Sequence, residues 1–201
     1  MRGKEMAAMA TIVCLICSIV VAMATPAVDN GIDESPEGVA KWFQNLGHMK
    51  EKLTTFRLYL HDQVSGKNPT AVVLARANFT SKAPHPTPFG TIVVIDDPLT
   101  VGPEPNSLIV ARAQGTYLSD GLEEFALHMN FNFVFTSGEY KGSTLSLFGR
   151  NPVFHMYREL SIVGGTGGFR LARGIVTVKT YQFNATSNDA ILQYYFTILH
   201  Y

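Results

Sequence analysis

From Leu53 onward, apolar residues recur at every second position. In Phe56-Arg57-Leu58-Tyr59-Leu60-His61 the even positions are apolar until His61, with polar or amphipathic side chains between them. The pattern is clearest between Phe125 and Phe135. There Phe125, Leu127, Met129, Phe131, Phe133 and Phe135 share one face, and Ala126, His128, Asn130, Asn132 and Val134 share the other. A helix repeats every ~3.6 residues and cannot gather that set on one side, whereas a strand sends successive side chains to opposite faces. Further strands are predicted over 70–78, 89–96, 107–118, 140–148, 169–180 and 190–200, the last alternating Leu192, Tyr194, Phe196 and Ile198. Turn signals separate them: Ser65-Gly66-Lys67-Asn68-Pro69, Asp96-Asp97-Pro98, Gly102-Pro103, Ser137-Gly138 and Gly164-Gly165-Thr166-Gly167-Gly168.

About eight strands joined by short loops predict an all-β, antiparallel fold, and closing the sheet into a barrel removes its exposed edges. A barrel of that size fills its interior with side chains or holds one small ligand. A β-sandwich is the alternative fold. The expected organisation is a leader over 1–24, an N-terminal arm over 25–52 and a barrel over 53–201. In the arm, Ser35-Pro36-Glu37 predicts a short helix with serine as its cap and proline in its first turn, and Trp42, Phe43 and Leu46 supply apolar content.

The leader reads as a secretory signal peptide. Arg2 and Lys4 precede an apolar run from Met6 to Met23, and Ala22-Met23-Ala24 is a small-x-small cleavage pattern, so cleavage is expected after Ala24. A retained anchor is the competing reading, but the run is short for a membrane span. The only cysteines, Cys14 and Cys17, would leave with the leader, so neither a disulfide nor a redox C-x-x-C is expected in the mature chain. Losing Arg2, Lys4 and Glu5 from 16 basic and 16 acidic residues leaves 14 and 15. That balance shows no basic excess of the kind nucleic-acid binders carry. With 46% hydrophobic and 16% charged residues the chain supports a packed core. In a secreted chain, Asn78-Phe79-Thr80 and Asn184-Ala185-Thr186 are glycosylation sequons, expected on exposed edges or loops.

Several chemistries find no support. The glycines at 164–168 do not form a dinucleotide fingerprint, because Arg170 stands where the third glycine belongs, and they read instead as a hairpin or bulge. No G-x-S-x-G is present, and the six histidines, at 48, 61, 85, 128, 155 and 200, show no zinc-binding spacing. No metal or cofactor is predicted. What remains is a set of polar residues in strand-rich sequence: Asp62, Asp97, Tyr117 and Arg158. Inside a barrel they would suit an aromatic, oxygen-rich ligand. Each also has a plain structural reading. Asp96-Asp97-Pro98 and Asp62 are ordinary turn chemistry, and Arg158 with Glu159 is an ordinary surface pair.

Thr54–Thr70 (TTFRLYLHDQVSGKNPT), Phe89–Pro103 (FGTIVVIDDPLTVGP), Ala111–Tyr117 (ARAQGTY), Asn132–Pro152 (NFVFTSGEYKGSTLSLFGRNP) and Arg158–Gly174 (RELSIVGGTGGFRLARG) resemble the plant dirigent family, in the family's order, from about residue 53 to the C-terminus. The resemblance implies an eight-stranded antiparallel barrel, usually a trimer, secreted to the plant cell wall. It implies binding of phenoxy radicals, such as those of coniferyl alcohol, or of quinone methides. A separate laccase or peroxidase makes these species, and the barrel directs stereoselective coupling in lignan or phenylpropanoid biosynthesis without oxidising anything itself. It implies pocket positions at Asp62, Tyr117 and Arg158. Lignan-forming members tend to carry aspartate seven residues before that arginine, in a short loop. Here Asn151 stands there, cannot act as an acid, and points to a subgroup with other substrates. A non-catalytic wall barrel that binds a phenolic or a carbohydrate is the alternative function.

Overall fold

The computed structural model describes residues 31–78 and 87–201. The expected leader, its cleavage position, both cysteines and the start of the arm lie outside the described residues. One unit spans Ile32–Tyr201. It opens with helix α1 (Pro36–Asn45), whose N-cap Ser35 accepts a hydrogen bond from the Gly38 amide through its hydroxyl, as the Ser-Pro-Glu string predicts. Among the described residues nine strands follow: β1 (Lys52–Asp62), β2 (Ala71–Arg76), β3 (Thr91–Thr100), β4 (Ile109–Ser119), β5 (Ala126–Phe135), β6 (Thr144–Pro152), β7 (Arg158–Thr166), β8 (Arg173–Phe183) and β9 (Ala190–His200).

Every ladder is antiparallel. The order β1-β9-β8-β7-β6-β5-β4-β3 closes on itself through β1–β3 pairing, so the predicted eight-stranded barrel is formed. The ninth strand, β2, lies along the same edge of β3 as β1. It pairs from Arg76↔Thr91 to Ala71↔Ile95, and β1 takes over at Leu60↔Leu99. Alternation then works as read from the sequence. Met129, Phe131, Phe133 and Phe135 point inward with Leu145, Leu147, Val176, Val178, Tyr194, Phe196 and Ile198. Phe133 meets Tyr194 and Phe196 edge to face. Each fully buried large side chain contributes roughly 1.5–3 kcal/mol of transfer free energy, so this aromatic plug is the main cohesive element.

Three expectations need correction. Asp96-Asp97-Pro98 is not a turn but lies inside β3. Proline is tolerated there because Asp97 and Pro98 fall between the stretches that β2 and β1 cover, so no partner needs the missing N–H on that edge. Second, residues 158–166, not predicted as a strand, form β7. Their glycines make a bulge, with Ser146↔Gly164 followed by Leu147↔Ile162, and Gly167 turns the chain at a φ of 63°. Third, the strands predicted from 140 and 169 begin at Thr144 and Arg173. Tight turns through Gly138 and Gly142, and a short 3-10 segment at Gly167–Phe169, occupy the intervening residues.

Gly115 in β4 faces Phe131 of β5, and a Cβ placed on it would stand 2.5 Å from the Asn130 carbonyl oxygen and 2.6 Å from Phe131 Cα. Gly115→Ala should therefore cost about 1–3 kcal/mol in urea denaturation. An unchanged midpoint would mean that β4 and β5 part without strain.

Candidate functional site

One end of the barrel holds a cavity of about 760 Å³, lined by apolar side chains such as Val93, Leu127, Met129 and Leu192. That volume suits a small aromatic molecule. Four predicted residues line it: Asp62, Tyr117, Asn151 and Arg158. Each comes from a different strand, β1, β4, β6 and β7 respectively. Asp97, also predicted to bind ligand, is not on the wall. It is 1% exposed and sits behind, where its Oδ1 accepts a 2.6 Å hydrogen bond from the Thr70 hydroxyl. Its neighbour Asp96 points outward to Arg112.

The two inward carboxyls are both difficult to ionise. Burial, reinforced by the nearby Asp189 charge, pushes Asp62 up to about 7, against a smaller opposing hydrogen bond from Tyr117. Burial and the neighbouring Asp62 push Asp97 up to about 8. Tyr117 is raised by burial and by both carboxyls, so its phenol keeps its proton and donates to Asp62. Asp62 Oδ1 is buried and has no hydrogen-bond partner among the described residues. A buried carboxyl oxygen in that state is available to a ligand.

Across the cavity Arg158 is 2% exposed. Alternation along β7 turns it inward and Glu159 outward, which excludes the surface-pair reading. Its Nε donates to Asn151 Oδ1 at 3.1 Å, and its Nη1 donates to the Thr180 hydroxyl at 2.9 Å and the His155 carbonyl at 3.2 Å. Nη2 is buried with no partner among the described residues. Burial lowers the arginine's pKa, but a guanidinium remains charged, so one N–H edge is left for an acceptor oxygen. Asn151, 3% exposed, stands at the end of strand β6 rather than in a loop, and its amide serves Arg158 on one side and Met129 Sδ on the other. Among the described residues no group of three or more His, Cys, Asp or Glu side chains is placed to hold a metal.

Thr91 and Thr180 on the cavity wall, and Thr70 and Asp189 outside it, are residues that sequence reasoning missed. Isolated threonines and an aspartate in a Ser-Asn-Asp loop carry no motif. Both sequon asparagines are exposed. Asn184 lies between β8 and β9, and Asn78 follows β2, with the rest of its triplet outside the described residues.

Comparison with known proteins gives a consistent result. The sequence model of the family described as Dirigent-like protein matches residues 53–199. Dirigent protein 15 of Arabidopsis thaliana is 48% identical over 156 residues, covering 76% of this chain and 82% of that protein. Pterocarpan synthase 1 of Glycyrrhiza echinata is 46% identical over 157 residues, covering 78% and 82%. A solved pterocarpan synthase dirigent protein superposes with a TM-score of 0.71 at 45% identity, covering 76% of this chain and 87% of that one.

The raised carboxyls carry a stability signature. A carboxyl whose folded pKa lies above its unfolded value stabilises fully in acid, and that contribution is lost as pH rises through the folded value. For Asp97 the loss runs from the ordinary carboxylate range up to about 8. Asp97→Asn keeps an acceptor for Thr70 and removes this part of the loss. The variant should match wild type near pH 4 and melt higher near pH 9, by about 2–4 °C per kcal/mol recovered. Parallel melting curves at all pH values would mean that Asp97 is not held protonated.

Proposed function

The chain belongs to the dirigent family, and we propose that it binds an oxidised phenol, either a phenoxy radical or a quinone methide made by a separate laccase or peroxidase, and directs its stereoselective coupling or ring closure. The observation that carries this reading is Asp62. It is a carboxyl with a pKa of about 7, its free oxygen buried in an apolar cavity that also holds the unpaired Nη2 of Arg158. An acid poised near neutrality is what general acid catalysis needs.

The quinone methide branch fits the site best. Attack of a hydroxyl on the exocyclic carbon pushes an electron pair onto the quinone oxygen. That oxygen takes a proton from Asp62, and the nucleophile's proton returns to the carboxylate, so protons balance and nothing is oxidised. The free Arg158 N–H edge is left to hold a second oxygen of the substrate across the cavity. Asn151, neutral and committed to Arg158, cannot share the acid role. This argues against lignan-type coupling of coniferyl alcohol and agrees with the pterocarpan synthase names among the relatives. Selectivity needs little energy: about 2–3 kcal/mol between two approach geometries gives roughly thirty- to over a hundredfold discrimination.

On this reading the protein is exported to the plant cell wall, loses residues 1–24, carries glycans at Asn78 and Asn184, and assembles as a homotrimer. Exposed Val72, Val73 and Leu74 at the edge of the barrel supply apolar surface for such contacts.

The test supplies a quinone methide with an internal hydroxyl nucleophile and resolves the products by chiral chromatography. Wild type should give one enantiomer in excess, with the rate falling as pH rises through about 7, where Asp62 ionises. Asp62→Asn should lower that rate by about 10²–10⁴-fold. Racemic product from wild type would favour the non-catalytic barrel. Secreted material should begin at Thr25, lose mass on deglycosylation and scatter light as a trimer. An intact Met1 or a monomer would overturn the corresponding part.

A further inference from the structure

We propose that Asp189 is the positioning residue of this site: its carboxylate staples the β1–β2 loop to the β8–β9 loop and so fixes Asp62 in the cavity wall beside a permanent negative charge. This rests on the reading of Asp62 as the acid. The geometry is local. Asp62 is the last residue of β1 and pairs with Ala190, the first of β9, so Asp189 stands one residue beyond that pair. Asp189 Oδ1 accepts from the Val64 amide at 2.9 Å and the Ser65 amide at 3.0 Å. Oδ2 accepts from the Ser65 hydroxyl at 2.6 Å and the Ser187 hydroxyl at 2.8 Å.

Four donors converge on one carboxylate, three of them from a loop over 120 residues away in sequence. Charge-assisted bonds of this kind are the strong ones, and the Ser65 hydroxyl above all holds Asp189 below the usual carboxylate range. Asp189 therefore stays ionised where Asp62 does not. Val64, Ser187 and Ala190 line the cavity, so the staple also sets the shape of its mouth. Around Asp62 the other facing groups are Asp97 behind it, Tyr117 donating to it, and Arg76, Arg158 and Lys179 on the cavity wall. Burial is the main cause of the raised Asp62, and the ionised Asp189 adds to it, so a fixed negative charge there helps keep the acid loaded.

Two variants separate the roles. Asp189→Asn keeps an oxygen for the two amides and removes the charge. Asp189→Ala removes both. Carboxyl carbon NMR on the full chain should show the Asp62 midpoint moving to lower pH in Asp189→Asn, by about one unit, tenfold in its acid constant. The Val64 and Ser65 amides should stay protected from hydrogen exchange in Asp189→Asn and lose protection by about tenfold or more in Asp189→Ala. An unchanged Asp62 midpoint in Asp189→Asn, or unchanged exchange in Asp189→Ala, overturns the proposal. Neither readout needs a substrate. If both hold while wild type gives racemic product, the staple stands and the catalytic reading falls. If product selectivity is real but neither readout moves, the staple falls alone.

Discussion

Closure of the barrel depends on a short contact between β1 and β3, at Tyr59↔Thr100 and Leu60↔Leu99, and the site is built at its margin. The edge of β3 is shared: β2 covers one end, β1 the other, and Asp97 and Pro98 lie between. A sheet closed by full-length ladders would have no such gap. Here the gap places Asp62, the last residue of β1, near Asp97 of β3, and lets Thr70, just ahead of β2, reach Asp97. Closing the ring and assembling the acid are thus one structural event. The aromatic plug of Phe131, Phe133, Tyr194 and Phe196 fills the barrel interior with side chains, and the polar groups collect towards the cavity.

Two carboxyls near each other in an apolar wall would be a liability if both ionised. The fold accommodates them by keeping them protonated, which costs stability as pH rises but leaves proton donors near neutrality. The opposite wall solves a different problem. Arg158 is charged and buried, and three of its five N–H donors are taken by Asn151, Thr180 and a backbone carbonyl, so its orientation is set before any ligand arrives. On the proposed function, a preset donor edge across the cavity from a preset acid would favour one pose of a planar phenol over its mirror-related pose.

Much of this was legible in the sequence, and the failures have physical causes. Period-two alternation identified β5 and β9 because their inward faces are almost wholly aromatic or aliphatic. Strand β7 was hidden because its last residues are glycines, which read as punctuation but here permit a bulge against β6. Asp97 looked like turn chemistry because proline follows it, and only the division of the β3 edge explains a proline inside a strand. Asp62, Tyr117 and Arg158 stood out as polar residues in strand-rich sequence, the family resemblance then implied pocket positions for them, and alternation sends each inward. Asp189 was invisible: its importance comes from backbone amides and serines on a distant loop, which no spacing in the chain records.

Asn151 decides how charge is distributed across the cavity. Its Oδ1 accepts from Arg158 Nε, and it adds no charge of its own. An aspartate in its place would pair with the guanidinium, lower its own pKa and neutralise the arginine's field. An ionised carboxylate and the cation would then lie on one wall. With asparagine the wall around Arg158 stays cationic and the proton donor lies opposite, on Asp62. On the proposed function, the quinone oxygen, which gains charge as the ring is attacked, would face Asp62 and take its proton, while a second ligand oxygen would be held by Arg158. A substrate with two oxygens at the ends of one conjugated system satisfies both walls at once, and a molecule with a single oxygen satisfies only one. The change from a carboxylate to an amide at one position therefore acts on which molecules fit as much as on which group is the acid.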